Sequence, residues 1–293
     1  MFSYQHEFHA GNTADILKHT TLVYMLDSLC KKEKPFTVID SHAGAGRFHL
    51  DDERALKTGE AQAGILNLVS KSSAGSLPSA LTRYLSLERP YLSQNIYAGS
   101  PELERLIMRH DDKLFVIEKH PAAIESLSTN MTLPLLVQRP DTQSTEARAA
   151  ASVTVRDSDS YEALSALTPP LIKRGLVLTD PSYEDESDYR AVSETLKLVH
   201  KKWNTAIIAV WYPLLTRKQN VLTQMLVSLE DTAKLGNNPS DWCKIELETQ
   251  KPDDLTETDG AHLYGSGMFI INPPYLLKEN MEDVIHYLNT LFH

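Results

Sequence analysis

The chain has 293 residues, 42% hydrophobic and 23% charged, with a formal net charge of −10. It can therefore bury a full core as one large domain or one domain with an insertion, and any grip on nucleic acid must rest on a local basic surface. No apolar run reaches the roughly 18–20 residues that span a bilayer, the N-terminus does not read as a signal peptide, and the isolated Cys30 and Cys243 argue against a thiolate zinc site or a disulfide framework and suit the cytosol.

The opening is dense in aromatics and histidines (Phe2, Tyr4, His6, Phe8, His9) and is broken by Gly11. Asn12 or Thr13 can cap a helix, and Ile16, Leu17, Val23, Leu26 and Leu29 recur at helical spacing, so residues 13–31 read as an amphipathic helix with Lys18 and His19 on its first turns. On spacing alone this is a helix covering a sheet, with a loose arm before it. The sharper reading is that the arm touches a cofactor and a planar substrate.

Phe36–Ile39 form the first strand, which ends at Asp40 and turns through Gly44 and Gly46. Without a Cβ, these two glycines allow a tight turn off the strand and close approach to a ligand; a Gly-x-Gly turn alone is a weak signal. Residues 50–96 are polar and Ser-rich with helical patches, and they interrupt the strand–helix alternation. They read as a small helical subdomain inserted into a main domain made of 1–49 and 97–293. With that excursion set aside, residues 100–109 supply the crossover helix and Leu114–Glu118 the second strand. A carboxylate closing that strand suits ribose hydroxyls, and Glu118 is read so ahead of its alternative role as a helix-start acid before His120-Pro121.

Residues 138–152 are low in apolar bulk and read as a surface loop. A short strand at 152–156 is followed by Asp157 and Asp159, either of which can cap the helix 161–167 or face the cofactor base. Gly175–Thr179 is a fourth strand ending at Asp180, and 206–213 a buried strand. Helices are expected near 189–203 and 218–229, an antiparallel pair at 244–248 and 267–271, and a closing helix at 276–292. Strands alternating with helices imply an α/β fold, a doubly wound, mostly parallel Rossmann-like sheet finished by an antiparallel hairpin.

The chemistry sits in Asp180-Pro-Ser-Tyr183. An exocyclic amine is a poor nucleophile because its lone pair is delocalised into the ring. Accepting hydrogen bonds from both N–H groups aims that lone pair at an incoming methyl. The Asp180 carboxylate and the Pro181 carbonyl can be those acceptors on a turn stiffened by proline, and Tyr183 can stack on a base. In-line transfer from a sulfonium donor is mostly a matter of positioning, with proton loss following once the nitrogen is cationic. Asn272-Pro-Pro-Tyr275 fits the asparagine form of the motif, but it follows the last strand of the hairpin, whereas Asp180 closes a strand beside the first, where ligands collect. Residues 272–275 are therefore read as a turn launching the last helix.

Tyr4-x-His6-x-Phe8-His9-Ala-Gly-Asn12, Ala14-Asp15-x-Leu17-Lys18-His19, Asp40-x-His42-Ala-Gly44-Ala-Gly46-Arg47, Gly99-Ser-Pro101, Asp180-Pro-x-Tyr183, Trp211-Tyr-Pro213 and Asn272-Pro-Pro274 together resemble the RlmJ-type 23S ribosomal RNA adenine-N6 methyltransferases, nearly end to end. The resemblance implies a class I methyltransferase with an inserted helical subdomain, S-adenosylmethionine as cofactor and 23S ribosomal RNA as partner. By position it implies that His19, His42, Ser100, Glu118, Asp159 and Ser160 contact the cofactor, with Asp157 the lesser candidate. Asp180 would be the catalytic acceptor, and Tyr4 and His6, with Lys18, would meet the target adenosine. Ser182 stands where the family usually has a second proline, so a stiffening ring is missing. Lys31–Lys34, Lys173-Arg174, Lys201-Lys202 and Arg47 are candidate backbone grips, or a solvated surface. A monomer without membrane or metal is expected. The alternatives are an amino methyltransferase acting on DNA or a small molecule, and a non-catalytic RNA-binding module.

Overall fold

Val38 and Ile39 point to opposite faces of the sheet, and both are fully buried, each in a different hydrophobic cluster. Leu176, Val177 and Leu178 alternate in the same way. A strand covered on both faces is what a parallel sheet demands. The computed structural model describes residues 5–72, 77–136, 151–237, 239–250 and 263–292; Tyr4 and most of the loop expected at 138–152 lie outside them.

Strands β1 (Thr37–Asp40), β4 (Lys113–Glu118), β5 (Ser152–Asp157), β6 (Gly175–Thr179), β7 (Ile207–Leu215), β8 (Trp242–Glu248) and β9 (Leu263–Ile271) form one sheet in the order β5-β4-β1-β6-β7-β9-β8. The first five are parallel; β9 runs antiparallel between β7 and β8. Chain order reverses between β1 and β6, and the tips there are where such folds bind ligands. Helices α1 (Thr13–Cys30), α5 (Ser100–Ile107) and α10 (Leu277–Phe292) cover one face; α7 (Ser160–Leu167), α8 (Glu186–Lys202) and α9 (Gln219–Ala233) cover the other. Helix α6 (Pro121–Asn130) links β4 towards β5.

The helix at 13–30 departs from its expected amphipathic form. Its buried residues include Ile16, Leu17, Leu22 and Met25 but also Asp15, Lys18, His19, Thr20 and Thr21, because the sheet lies on one side and the segment after β1 on the other. That segment leaves through β2 (Arg47–His49) and returns through β3 (Ile96–Ala98), an antiparallel pair too short for sequence periodicity to reveal. Between them run α2 (Glu53–Thr58), a π-helical turn at Gln62–Leu66, α3 (Asn67–Lys71) and α4 (Ser79–Leu92). Ile65, Leu68, Leu81 and Tyr84 belong to the same cluster as Ile16 and Leu17 of α1. Among the described residues, no helix is long and apolar enough to cross a membrane.

Candidate active site

The C-terminal tips of the parallel strands open into a cavity of about 580 Å³, within the roughly 300–1,000 Å³ of small-ligand sites. His42 and Gly44 enter it from the turn after β1, Ser100 from the start of α5, Glu118 from the end of β4, and Asp159 and Ser160 from the start of α7. Asp180, Pro181 and Ser182 follow β6 into it, and Trp211 and Pro213 project from β7. The arm and α1 complete the wall with His6, Asn12, Asp15, Lys18 and His19.

Glu118 and Asp159 face the cavity while serving the backbone. The Gly44 N–H donates to Glu118 Oε2 (2.9 Å), and the N–H groups of Lys119 and His120 donate to Oε1 (2.8 and 2.7 Å). Asp159 caps α7, accepting from Tyr161 N and Glu162 N, and pairs with Lys119 Nζ at 3.0 Å. Each contact is the local structural role that the sequence allowed, and the remaining lone pairs leave capacity for hydroxyls or a base edge. Gly44 needs its positive φ of 59°. Gly46 lies off the cavity: its φ is 76°, and a Cβ there would meet Met131 Cε at 2.9 Å, so this glycine serves packing against α6.

Burial holds the His42 imidazole down to about 4 and that of His19 to about 3, so both are neutral donor–acceptors at neutral pH. His42 Nδ1 meets Ser41 Oγ at 2.9 Å; His19 Nδ1 meets the Tyr97 hydroxyl at 2.7 Å. Asp40 is fully buried, accepts from Ser100 Oγ at 2.6 Å, and is pushed by burial up to about 6.

At the other end of the cavity, Lys18 Nζ lies 2.5 Å from Asp180 Oδ2 and 2.9 Å from Asp15 Oδ1. Asp15 Oδ2 accepts from Gly11 N at 2.9 Å and pairs with His6 Nε2 at 3.0 Å. Burial alone would lower the Lys18 ammonium, but the charges of Asp15 and Asp180 outweigh it and raise its pKa above the ordinary lysine value. Burial likewise pushes Asp15 up, and the charges of His6 and Lys18 carry it well below the usual carboxylate range. Lys18 and His6 are legible as candidates in the sequence, but their shared partner Asp15 is not, although Asp15 and Lys18 stand at the i, i+3 spacing of one helix face.

Tyr183 departs from its expected place. It has a positive φ of 52°, its ring is buried among Tyr189, Trp211 and Met225, and its hydroxyl donates to the Trp211 carbonyl at 2.8 Å. The side chain packs against β7 and does not line the cavity. Arg47 is not a backbone grip: it is buried, bonded to Glu102 and the Pro134 carbonyl at 2.7 Å each. Lys31–Lys34, Lys173-Arg174 and Lys201-Lys202 precede β1, β6 and β7, which puts them at the edge of the sheet opposite the cavity. Asn272 is there too. β9 is antiparallel and Ile271 is paired with Ile208 near the start of β7; the Asn272 amide donates to the carbonyls of Asn204 and Ala206 at 2.8 and 2.7 Å.

A parallel sheet carrying an antiparallel strand between its last two, with an acid-rich cleft at the β1/β6 switch point, is the Rossmann-like architecture of class I methyltransferases. The residues present fit S-adenosylmethionine: acceptors at Glu118 and Asp159, a close-approach glycine at 44, and carboxylates suited to a cationic donor. The chain belongs to the family described as ribosomal RNA large subunit methyltransferase D, RlmJ, whose profile matches residues 33–293. It is 35% identical over 295 residues to ribosomal RNA large subunit methyltransferase J of Escherichia coli K12, covering 99% of this chain and 94% of that one. It is 34% identical to the Haemophilus influenzae protein of the same name, covering 98% and 93%. A crystal structure of a Legionella pneumophila protein superposes with a TM-score of 0.80 at 30% identity, covering 97% of this chain and 94% of that one.

Proposed function

We propose that this protein transfers a methyl group from S-adenosylmethionine to the N6 amino group of an adenosine in 23S ribosomal RNA. The observation that carries the reading is the meeting of the residue-44 turn and residues 180–182 in one cavity, with Lys18 bound to Asp180. The cofactor supplies an electrophilic methyl group on a cationic sulfur. The chain supplies position. Lys18 occupies one oxygen of Asp180, which turns the carboxylate and leaves lone pairs for one N6–H. The Pro181 carbonyl takes the other, and the amine lone pair is then aimed along the line of transfer. After transfer the nitrogen is cationic, and its proton can leave to the carboxylate already bonded to it.

His42, Ser100, Glu118, Asp159 and Ser160 form the cofactor end of this assignment; Lys18 and His6, with Tyr4, form the adenosine end. A base in a duplex cannot reach the cavity, so the target must be unstacked and turned out. Protein-free RNA is the favoured substrate form, because target bases in an assembled subunit are covered, and such an enzyme works in the cytoplasm. The assay is methyl transfer to ribosomal RNA transcripts and matched DNA, with N6-methyladenosine mapped by mass spectrometry. Asp180→Ala abolishes transfer while cofactor binding survives, and Asn272→Ala retains most activity; the opposite pattern overturns the assignment, and transfer to DNA alone overturns the substrate class.

A further inference from the structure

The arm that walls the cavity is held from outside the main sheet. Glu60, between α2 and the π-helical turn, uses both carboxylate oxygens on it: Oε1 pairs with His9 Nδ1 at 2.8 Å, and Oε2 accepts from Asn12 Nδ2 at 2.9 Å. Other ties from the same segment reach the arm. Ile65 N donates to the Gly11 carbonyl at 2.9 Å, and the chains meet so closely that a Cβ on Gly64 would lie 2.3 Å from the Gly11 oxygen. Thr58 Oγ1 donates to the Phe8 carbonyl at 2.5 Å, and Arg54 pairs with Glu7 at 3.5 Å. A π-turn in a short helical stretch often marks a functional site.

Asn12 carries the tie onward. Its Oδ1 accepts from Asp15 N at 2.9 Å, capping α1, and Asp15 holds His6 on one oxygen and Lys18 on the other. Lys18 holds Asp180. A continuous line of hydrogen bonds thus runs from Glu60 through Asn12, Asp15 and Lys18 to the carboxylate assigned to the amine. Side chains locked in this way lose little further freedom when substrate binds, and that pre-organisation strengthens binding.

We propose that Glu60 is a positioning residue for the reaction: it fixes residues 5–12 over the cavity and, through Asn12 and Asp15, the orientation of the Lys18–Asp180 pair. The proposal rests on the methyl-transfer reading above, and it assigns the segment between β2 and β3 a part in catalysis at a distance from the reacting atoms. Glu60 touches neither cofactor nor base; it acts by holding what does.

The test uses the full chain with Glu60→Ala and Glu60→Gln. Hydrogen exchange of residues 6–12 in the free protein is the readout that does not need activity. Glu60→Ala accelerates that exchange about tenfold or more, as loss of two charge-assisted bonds implies, while exchange in α8 and α9 is unchanged. It also lowers kcat/KM for RNA about tenfold, through KM for the loosened arm and through kcat for the Lys18–Asp180 pair, with the cofactor Kd within about twofold of wild type. Glu60→Gln keeps an acceptor for Asn12 and a group for His9, and recovers most of both effects. Unchanged exchange at 6–12 overturns the proposal, as does a loss of thermal stability and cofactor affinity that Glu60→Gln fails to recover. If wild type methylates no adenosine, the functional reading fails, yet the exchange experiment still decides whether Glu60 holds the arm.

Discussion

Replacing Lys18 with Met separates stability from chemistry. Lys18 is 5% exposed and Asp15 2%, so removing the ammonium leaves Asp15 buried with the His6 ring and the Gly11 N–H against its Oδ2. Breaking a buried pair by deleting one member costs about 3–5 kcal/mol; Asp180, with a side chain 16% exposed, is partly solvated and adds little, so the expected loss lies near 3 kcal/mol. Asp180 also loses the group that orients it, which should slow transfer on the order of a hundredfold, comparable to losing one preorganised polar contact. Adding Asp15→Asn removes the stranded charge and restores part of that loss, but leaves transfer slow because Asp180 still lacks its partner. Urea unfolding at pH 7.5 measures the first effect and single-turnover methyl transfer the second. That pH is well placed. The raised Lys18 pKa gives stability that is complete below the ordinary lysine value and is lost as pH rises through the folded value. The lowered Asp15 pKa gives stability complete above the ordinary carboxylate range and lost as pH falls. A Lys18→Met protein that is destabilised by less than about 1 kcal/mol, or a double variant that regains activity, would refute the reasoning.

Asp40 should show the reverse pH dependence. Its acid form is favoured by burial, with the pKa raised to about 6, so its contribution to stability falls as pH rises from about 4 to about 6. Asp40→Asn should therefore gain relative to wild type by up to about 3 kcal/mol between pH 4 and pH 7, read from urea unfolding at both. The turn after Asp180 is held by Lys218, whose Nζ donates to the carbonyls of Tyr183 and Glu184 at 3.1 and 2.8 Å. Lys218→Met should slow transfer several-fold, and Ser182→Pro in that background should recover part of kcat by restoring stiffness to the same turn; no change in kcat for either would show that the turn is fixed elsewhere.

The apolar runs 37–40, 113–118, 175–179 and 207–215 are strands because short buried runs bounded by turn residues have no other way to satisfy their backbone beside helices. Their ends at Asp40, Glu118 and Asp180 were therefore readable too. The β2–β3 pair was not, since three-residue strands carry no period. Nor was the burial of α1, whose Lys18 and His19 look like a polar face until the Asp15 carboxylate and the Tyr97 hydroxyl are brought to them.

Local chemistry in the chain determined the alternation of elements, the glycine bend after β1 and the acidic residue that closes β6, because propensity and periodicity act within a few residues. It also presented two candidate motifs, at 180 and 272, with similar composition. The order of elements already favoured 180 over 272, and the tertiary structure supplies the physical reason: β9 runs against its neighbours, so its final residue lies at the end of the sheet away from the cavity. The same long-range packing turned Tyr183 inward and gave Lys18 two carboxylates, one from its own helix and one from a strand end 162 positions along the chain. Contacts between distant segments are paid for in chain entropy and repaid by burial, and no window of neighbouring residues contains that balance.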